Sequence, residues 1–510
     1  MKRFDVLIIG AGAVGNAVAR EISKMSGVTA GVLEKEPDTA FGASGRNSGV
    51  LHAGFNNKPG SFMAKLCVEG SEGFEKEAAE LNVPFKRTGK LIVARFEEDI
   101  ERLRKLKEQG EANGVRELRI IGREELERLA GYEAGIAALW SGMTGIFDPF
   151  QYTVALAEAA VDLGAEYFFG RQVTGIRRLD QRAKGPAGTS SAGGFLVAAK
   201  NRADGKKESY RAGVLINSAG LYADEICRMA GINDFKIHPC RGEYHILDKC
   251  RSKKLNLLVY PIPNEKEGGL GVHLTPTIHG NIMIGPSAEY LTAKQEREDY
   301  GTTQEVMEKL NREGADLFPG LELRDCIRSF SGIRPKLASE TEGGCADFVI
   351  EESKQVPGFI QLVGIESPGL TSSIPIAKMV ARITDEILSG NGNTGGGGAV
   401  RTTENDTSAN KKTSKSPVSF GEAGDQKMLC RCEGITEAEV LKAFDRILRI
   451  GAIPTVKGMK NRSRVTMGNC QGSFCTINLI EVLQKKRDVD PLSLLWNGFG
   501  SHMFEGRVKA

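Results

Sequence analysis

The chain has 510 residues, enough for two or three folded units. Its 68 basic and 65 acidic residues nearly cancel to a formal charge of +3, which gives no electrostatic case for nucleic-acid binding. No segment carries the roughly 18 uninterrupted apolar residues of a membrane span, and the basic, apolar start reads as a buried strand and glycine turn instead of a secretion signal. A cytoplasmic or comparably reducing location is the expectation.

Residues 5–10, DVLIIG, predict a continuous apolar strand, 15–25 a helix, and 28–35, VTAGVLEK, a second strand ending in an acid. That β-α-β order favours a parallel sheet. Charged helical stretches follow near 71–81 and 97–113, then an amphipathic helix after Phe150 and the alternating segments FLVAAK and GVLINSAG. The turn-forming piece 181–194 is expected to be an exposed loop. Residues 240–290 are strand-rich, with YHIL, LLVYPI, LGVHLT and NIMIG punctuated by Gly and Pro, and long helices return at 303–315 and 372–388. From 389 to 426 the composition collapses into Gly, Asn, Thr, Ser and Lys, which cannot bury enough apolar surface to order itself and reads as a flexible linker.

Gly10, Gly12 and Gly15 form G-x-G-x-x-G directly after a strand and at the start of a helix. The first glycine permits the tight turn, the second lets a pyrophosphate approach the backbone, and the third lets the helix pack on the strand. Glu34, at the end of the next strand, is placed to accept hydrogen bonds from a ribose diol, with Ala13 and Lys35 beside these positions. This motif predicts a dinucleotide site without separating NAD from FAD.

The following stretch FGASGRNSGVLHAG, residues 41–54, with INSAGLYADEI at 216–226 and VGIESPGLTSSIPIAKMVARI at 363–383, resembles the flavoprotein superfamily of D-amino-acid oxidase, glycine oxidase, FAD-linked glycerol-3-phosphate dehydrogenase and L-2-hydroxyglutarate dehydrogenase. The resemblance implies a mixed α/β fold, with a Rossmann-like FAD-binding domain interleaved with a mostly antiparallel substrate-binding sheet. It implies FAD contacts from Ser44, Arg46, Asn47, Ser48, Val173, Ala219, Gly220, Gly332, Gly369, Leu370 and Thr371. The positive end of the helix after Gly369 would face the flavin where negative charge gathers on reduction. No second glycine motif for a nicotinamide follows, so electrons must leave the flavin another way.

On the substrate side, CRGEYHIL, LVYPIPN and LGVHLTPTIHG are similar to L-2-hydroxyglutarate dehydrogenase, whereas SGIRPKL and a terminal cysteine appendage suit anaerobic-type glycerol-3-phosphate dehydrogenase. Both resemblances imply a small anionic alcohol as substrate, with an amino or imino acid as a further alternative. His52 and His273 are the base candidates, because a neutral imidazole accepts a proton near physiological pH. Arg334 and Lys336 are the candidates for gripping the anion, and Tyr260 for hydrogen-bonding the substrate.

Four of the ten cysteines cluster near the end: C-x-C at Cys430 and Cys432, and C-x4-C at Cys470 and Cys475. Such a set suits a [2Fe–2S] cluster or a zinc ion, and zinc sites more often use C-x2-C or wider knuckles. LCRCEGITEAEV and MGNCQGSFC resemble the bacterioferritin-associated-ferredoxin type of [2Fe–2S] domain, with a helix capped by Thr436 between the pairs. The expected organisation is an oxidoreductase body at 1–388, whose substrate sheet draws on 85–150 and 240–335. A linker at 389–426, a small α-rich cluster domain at 427–490 and a tail at 491–510 follow. The expected partners are the substrate and an electron-accepting subunit or quinone, with any membrane association peripheral and through that partner.

Overall fold

The structure, a computed structural model, describes residues 1–179, 193–249, 255–263, 271–292, 294–319, 321–390 and 427–506. Nearly all of the loop expected at 181–194 and of the linker expected at 389–426 lies outside the described residues.

The fold is the mixed α/β arrangement expected from the sequence. Strand Lys2–Ile9 pairs in parallel with Ala30–Glu34 on one side and Lys207–Asn217 on the other. Val6, Leu7 and Ile8 are fully buried, each contributing about 1.5–3 kcal/mol by leaving water. Glu166–Phe169 extends the sheet in parallel, and Phe359–Val363 adds at the end of Lys207–Asn217. Helices Ala13–Ile22, Pro149–Asp162 and Ser373–Leu388 cover this sheet and share one apolar core. The parallel register brings the carboxyl ends of three strands, at Gly10, Glu34 and Ser218, to one edge, where open α/β sheets place ligands.

A second, nine-stranded sheet takes strands from two stretches far apart in sequence. Lys90–Ala94, Leu118–Gly122 and Ala137–Ser141 join His238–Leu247, Leu258–Pro261, His273–Pro276, Ile282–Gly285, Glu289–Tyr290 and Cys326–Lys336. All its pairings are antiparallel except that of Lys90–Ala94 with Leu258–Pro261. Its inner end, at Ser331 and Gly332, lies against the loop after Glu34 at Arg46.

Residues 427–503 form a module of a short hairpin and helices Glu437–Arg449, Val456–Ser463 and Cys475–Arg487. Thr436 caps the first helix in a reciprocal box with Glu439. The segment expected to trail as a tail is built into the module instead. Leu494 and Leu495 are buried, and the Val456 and Lys457 amides donate to the Leu495 and Trp496 carbonyls. Apolar residues at 494–495 offset the cost of ordering this end. The module also rests on the body: its apolar core is continuous with that of the parallel-sheet helices, and Arg446 pairs with Glu158 at 3.0 Å. Among the described residues no helix is long and apolar enough to cross a membrane.

Candidate active site

Close backbone approaches shape the turn after the first strand. Gly10 lies at φ +106°, and a Cβ there would sit 2.4 Å from the Ser218 carbonyl oxygen. A Cβ on Gly15 would sit 2.0 Å from the Gly10 carbonyl oxygen, so the helix reaches the strand only with glycine there. Gly12 lies against the Ser44 hydroxyl, which accepts from the Ala13 amide at 2.9 Å. The Glu34 carboxylate accepts from the Ala11 amide at 2.7 Å and the Glu36 amide at 2.9 Å, and burial lifts its pKa to about 7. A ribose diol donating to that carboxylate would favour its charged form. Lys35 pairs with Glu298 at 2.6 Å and lies over the Tyr222 ring, while Val173 packs in the same core as Leu33, with Ala219 against it. Gly220, at φ +52°, turns the chain immediately after Ser218 and Ala219.

The loop at 41–52 is stiffened from within and touched from both sheets. Asn47 donates to the Ala43 and Ser44 carbonyls and accepts from the Gly49 amide. Arg46 stacks on Tyr300 at 3.9 Å and donates to the Ser331 carbonyl. A Cβ on Gly332 would lie 2.0 Å from the Arg46 carbonyl oxygen, so the nine-stranded sheet meets this loop backbone to backbone. Ser48 neighbours the Tyr244 hydroxyl, and the His52 amide donates to Thr371 Oγ1 at 3.1 Å, tying the loop to the Gly369–Leu370–Thr371 turn. Glycines that keep a cradle open, an unblocked helix start and a terminal strand acid together suit an extended, diphosphate-containing dinucleotide.

Beyond this cradle lies a desolvated polar pocket. His273 Nδ1 hydrogen-bonds the Gly271 carbonyl at 2.9 Å; since a carbonyl only accepts, the ring proton is on Nδ1. Its buried Nε2 then bears a lone pair and has no partner among the described residues. Burial, opposed by the Gly271 bond and helped by the charges of Lys90 and Arg334, lowers the His273 pKa to about 3. Tyr260 stacks on the His273 ring at 3.7 Å, and its hydroxyl, beside Thr275, is also unpartnered. His52 Nε2 lies 3.4 Å from Ser367 Oγ, and burial, Lys90 and His273 hold its pKa well below the usual imidazole value. Arg334 is anchored by the Ser287 carbonyl at 2.9 Å and Cys240 Sγ at 3.4 Å.

Lys336 departs from expectation. Its ammonium is already bound by Glu366 at 3.1 Å and the Gly344 carbonyl at 2.7 Å, so its charge is neutralised before any anion arrives. Sequence reasoning missed that buried Glu366, and it missed Lys90, Tyr244 and Thr275. A lysine inside the apolar strand KLIVA was the available signal for Lys90.

The four terminal cysteines come together in pairs, Cys432 with Cys470 and Cys430 with Cys475. The amides of Phe474, Gly472 and Ser473 hold the Cys470 thiol below its ordinary pKa, while burial and Cys430 push Cys475 up to about 12. A Cβ on Gly468 would lie 2.2 Å from Cys432 Cβ, so the second cysteine loop closes directly over the first. Among the described residues no three potential ligands converge as they would on a single metal ion.

The profile of the DAO family, described as FAD dependent oxidoreductase, matches residues 5–383. The chain is 35% identical over 514 residues to a glycerol 3-phosphate dehydrogenase of Caloramator mitchellensis, covering 99% of each. It is also 35% identical over 412 residues to the mitochondrial L-2-hydroxyglutarate dehydrogenase of Arabidopsis thaliana, covering 74% of this chain and 83% of the relative. The FAD-bound L-alpha-glycerophosphate oxidase of Mycoplasma pneumoniae superposes with a TM-score of 0.66 at 28% identity, over 76% of this chain and 95% of its own. The chain belongs to the DAO family of FAD-dependent oxidoreductases.

Proposed function

We propose that this protein oxidises sn-glycerol 3-phosphate to dihydroxyacetone phosphate and delivers the electrons through a [2Fe–2S] cluster to a partner protein or quinone. The observation that carries this reading is similarity along 99% of both chains to the Caloramator mitchellensis glycerol 3-phosphate dehydrogenase, which takes in the cysteine module as well as the body. The glycine turn, Glu34, the loop at 41–52 and the turn at 369–371 would hold FAD, which when bound would supply a two-electron acceptor. The chain's own residues bind the anion and receive the hydroxyl proton. His273 is suited to that proton because its tautomer is fixed with Nε2 free, and His52 lies close enough to feel its charge. Arg334 is suited to an oxyanion because its buried guanidinium is hydrogen-bonded to neutral groups, the Ser287 carbonyl and the Cys240 thiol, and among the described residues makes no ion pair.

Cys430, Cys432, Cys470 and Cys475 would hold the cluster. Four thiols within electrostatic reach of one another suit a centre of two irons, each taking two thiolates, and the C-x-C spacing is unusual for zinc. The nine described cysteines are free thiols, which suits a cytoplasmic protein.

A second reading, L-2-hydroxyglutarate oxidation, is favoured by the equal identity to the Arabidopsis thaliana enzyme over the body alone. Anaerobic titration of the yellow protein decides between them. Glycerol 3-phosphate should bleach the flavin; bleaching only by L-2-hydroxyglutarate transfers the assignment, and bleaching only by an amino acid such as proline removes both.

A further inference from the structure

Lys90 opens the apolar strand Lys90–Ala94 and is only 1% exposed. Its ammonium lies 4.4 Å from the ring centres of both Phe55 and Tyr260, and among the described residues it has neither an ion pair nor a hydrogen bond. The titratable groups that reach it are all neutral at physiological pH: Cys67 from helix Phe62–Glu80, His52 from the loop after Val50–Leu51, Tyr260 from Leu258–Pro261 and His273 from His273–Pro276; strand Ala137–Ser141, paired alongside, sets only the uncharged Ser141 opposite it. Arg334, the other charge felt at His273, is a second cation. Two aromatic faces compensate a buried ammonium only in part. Glu366 reaches Arg334 but is paired with Lys336, so among the described residues no carboxylate is left to pair with Lys90, which lies next to the residue suited to take the alcohol's proton.

We propose that Lys90 is a substrate-binding residue, the counterion of the substrate's anionic group, acting together with Arg334. The assignment rests on the reading of the substrate as an anionic alcohol. Burial lowers the Lys90 pKa from 10.5 to about 7, so near neutrality much of the free protein carries the amine. An arriving anion favours the ammonium, and one proton passes from solvent to Nζ as the pair forms; no bond to carbon changes in this step. The same anion offsets the positive potential that weakens His273, so the base strengthens only when substrate is in place.

The sign of the pH dependence follows. Below pH 7 Lys90 is charged in free and bound protein alike, and affinity does not depend on it. Above pH 7 binding must draw in a proton, and affinity falls as pH rises. In ligand-free protein the unfolded chain binds the extra proton between pH 7 and 10.5, so wild type gains stability over a Lys90→Met variant as pH rises through that window.

The test uses FAD-loaded full-length wild type, Lys90→Met and Lys90→Arg. Half-saturation of flavin bleaching is measured for glycerol 3-phosphate and for uncharged glycerol, and proton uptake by calorimetry of wild type in two buffers of different ionisation enthalpy. Lys90→Met should weaken glycerol 3-phosphate by about 10-fold or more while glycerol stays within about 2-fold, and Lys90→Arg should recover most of the loss. Equal losses for both compounds, or no proton uptake by wild type above pH 7, would overturn the assignment. Should wild type respond to L-2-hydroxyglutarate and not to glycerol 3-phosphate, the substrate reading falls separately. The same comparison of that dicarboxylate with its dimethyl ester then decides Lys90.

Discussion

Asp38 and Arg462 stand 424 residues apart and meet with neither side chain exposed, 0% for each, where the cysteine module rests on the oxidoreductase body. Arg462 grips the carboxylate through both terminal nitrogens, one bond measuring 3.0 Å, and also donates to the Gly458 carbonyl at 3.2 Å. In an Asp38→Ala variant the guanidinium stays buried with Glu158, 3.8 Å away, as its nearest acid. Removing one partner of a buried pair costs about 3–5 kcal/mol, and at about 1.4 kcal/mol per tenfold the docking equilibrium shifts by roughly two to three and a half orders of magnitude. The variant should keep FAD, because the glycine turn is untouched, while the module opens. Hydrogen exchange of 456–463 and of the 36–41 segment should accelerate together. Asp38→Ala combined with Arg462→Met removes both charges and should restore most of the protection. Wild-type exchange in Asp38→Ala would show that the pair does not hold the module, and a double variant as open as the single one would show that an uncompensated charge was not the cause.

Gly332→Ala places a methyl carbon 2.0 Å from the Arg46 carbonyl oxygen, so the loop at 41–52 must retreat; purified variant should carry far less FAD by its visible spectrum, at an unchanged circular dichroism signal. His273→Gln keeps a polar side chain but removes the lone pair at Nε2, and kcat should fall by about 10²–10⁴ with little change in half-saturation. Because His273 remains neutral down to about pH 3, any acid limb of kcat/KM near neutrality should persist in that variant. Replacing Cys430 and Cys475 by serine should abolish iron and acid-labile sulfide while substrate still bleaches the flavin; retention of both would show that those thiols are not ligands.

The relation between sequence and structure differs from place to place. The helix after Phe62 runs from 62 to 80, well before its expected start near 71, because the Ser61 hydroxyl caps it at the Ala64 amide. Gly70 inside it reads as a helix-weakening residue, yet a Cβ there would lie 2.0 Å from the Thr371 carbonyl oxygen, so that glycine serves the contact between the helix and the turn at 369–371. Lys336 was legible as a cation on the strand that carries Arg334; that Glu366 would neutralise it depended on where the loop at 364–370 crosses the strand.

Spacing along the chain determined the dinucleotide half: Gly10, Gly12, Gly15 and Glu34 act within one β-α-β unit, where strand alternation and helix rise set positions over a few residues. The capped helix after Thr436 and the proximity of Cys430 to Cys432 are local in the same sense. The pocket around His273 is not local. Lys90 reaches His273 because Lys90–Ala94 pairs in parallel with Leu258–Pro261, which in turn pairs with His273–Pro276, and that order reflects which apolar faces bury one another best. Pairing energies of this kind belong to whole sheets, so no window of sequence contains them, and only the tertiary structure brought two histidines and an unpaired ammonium into one dry space.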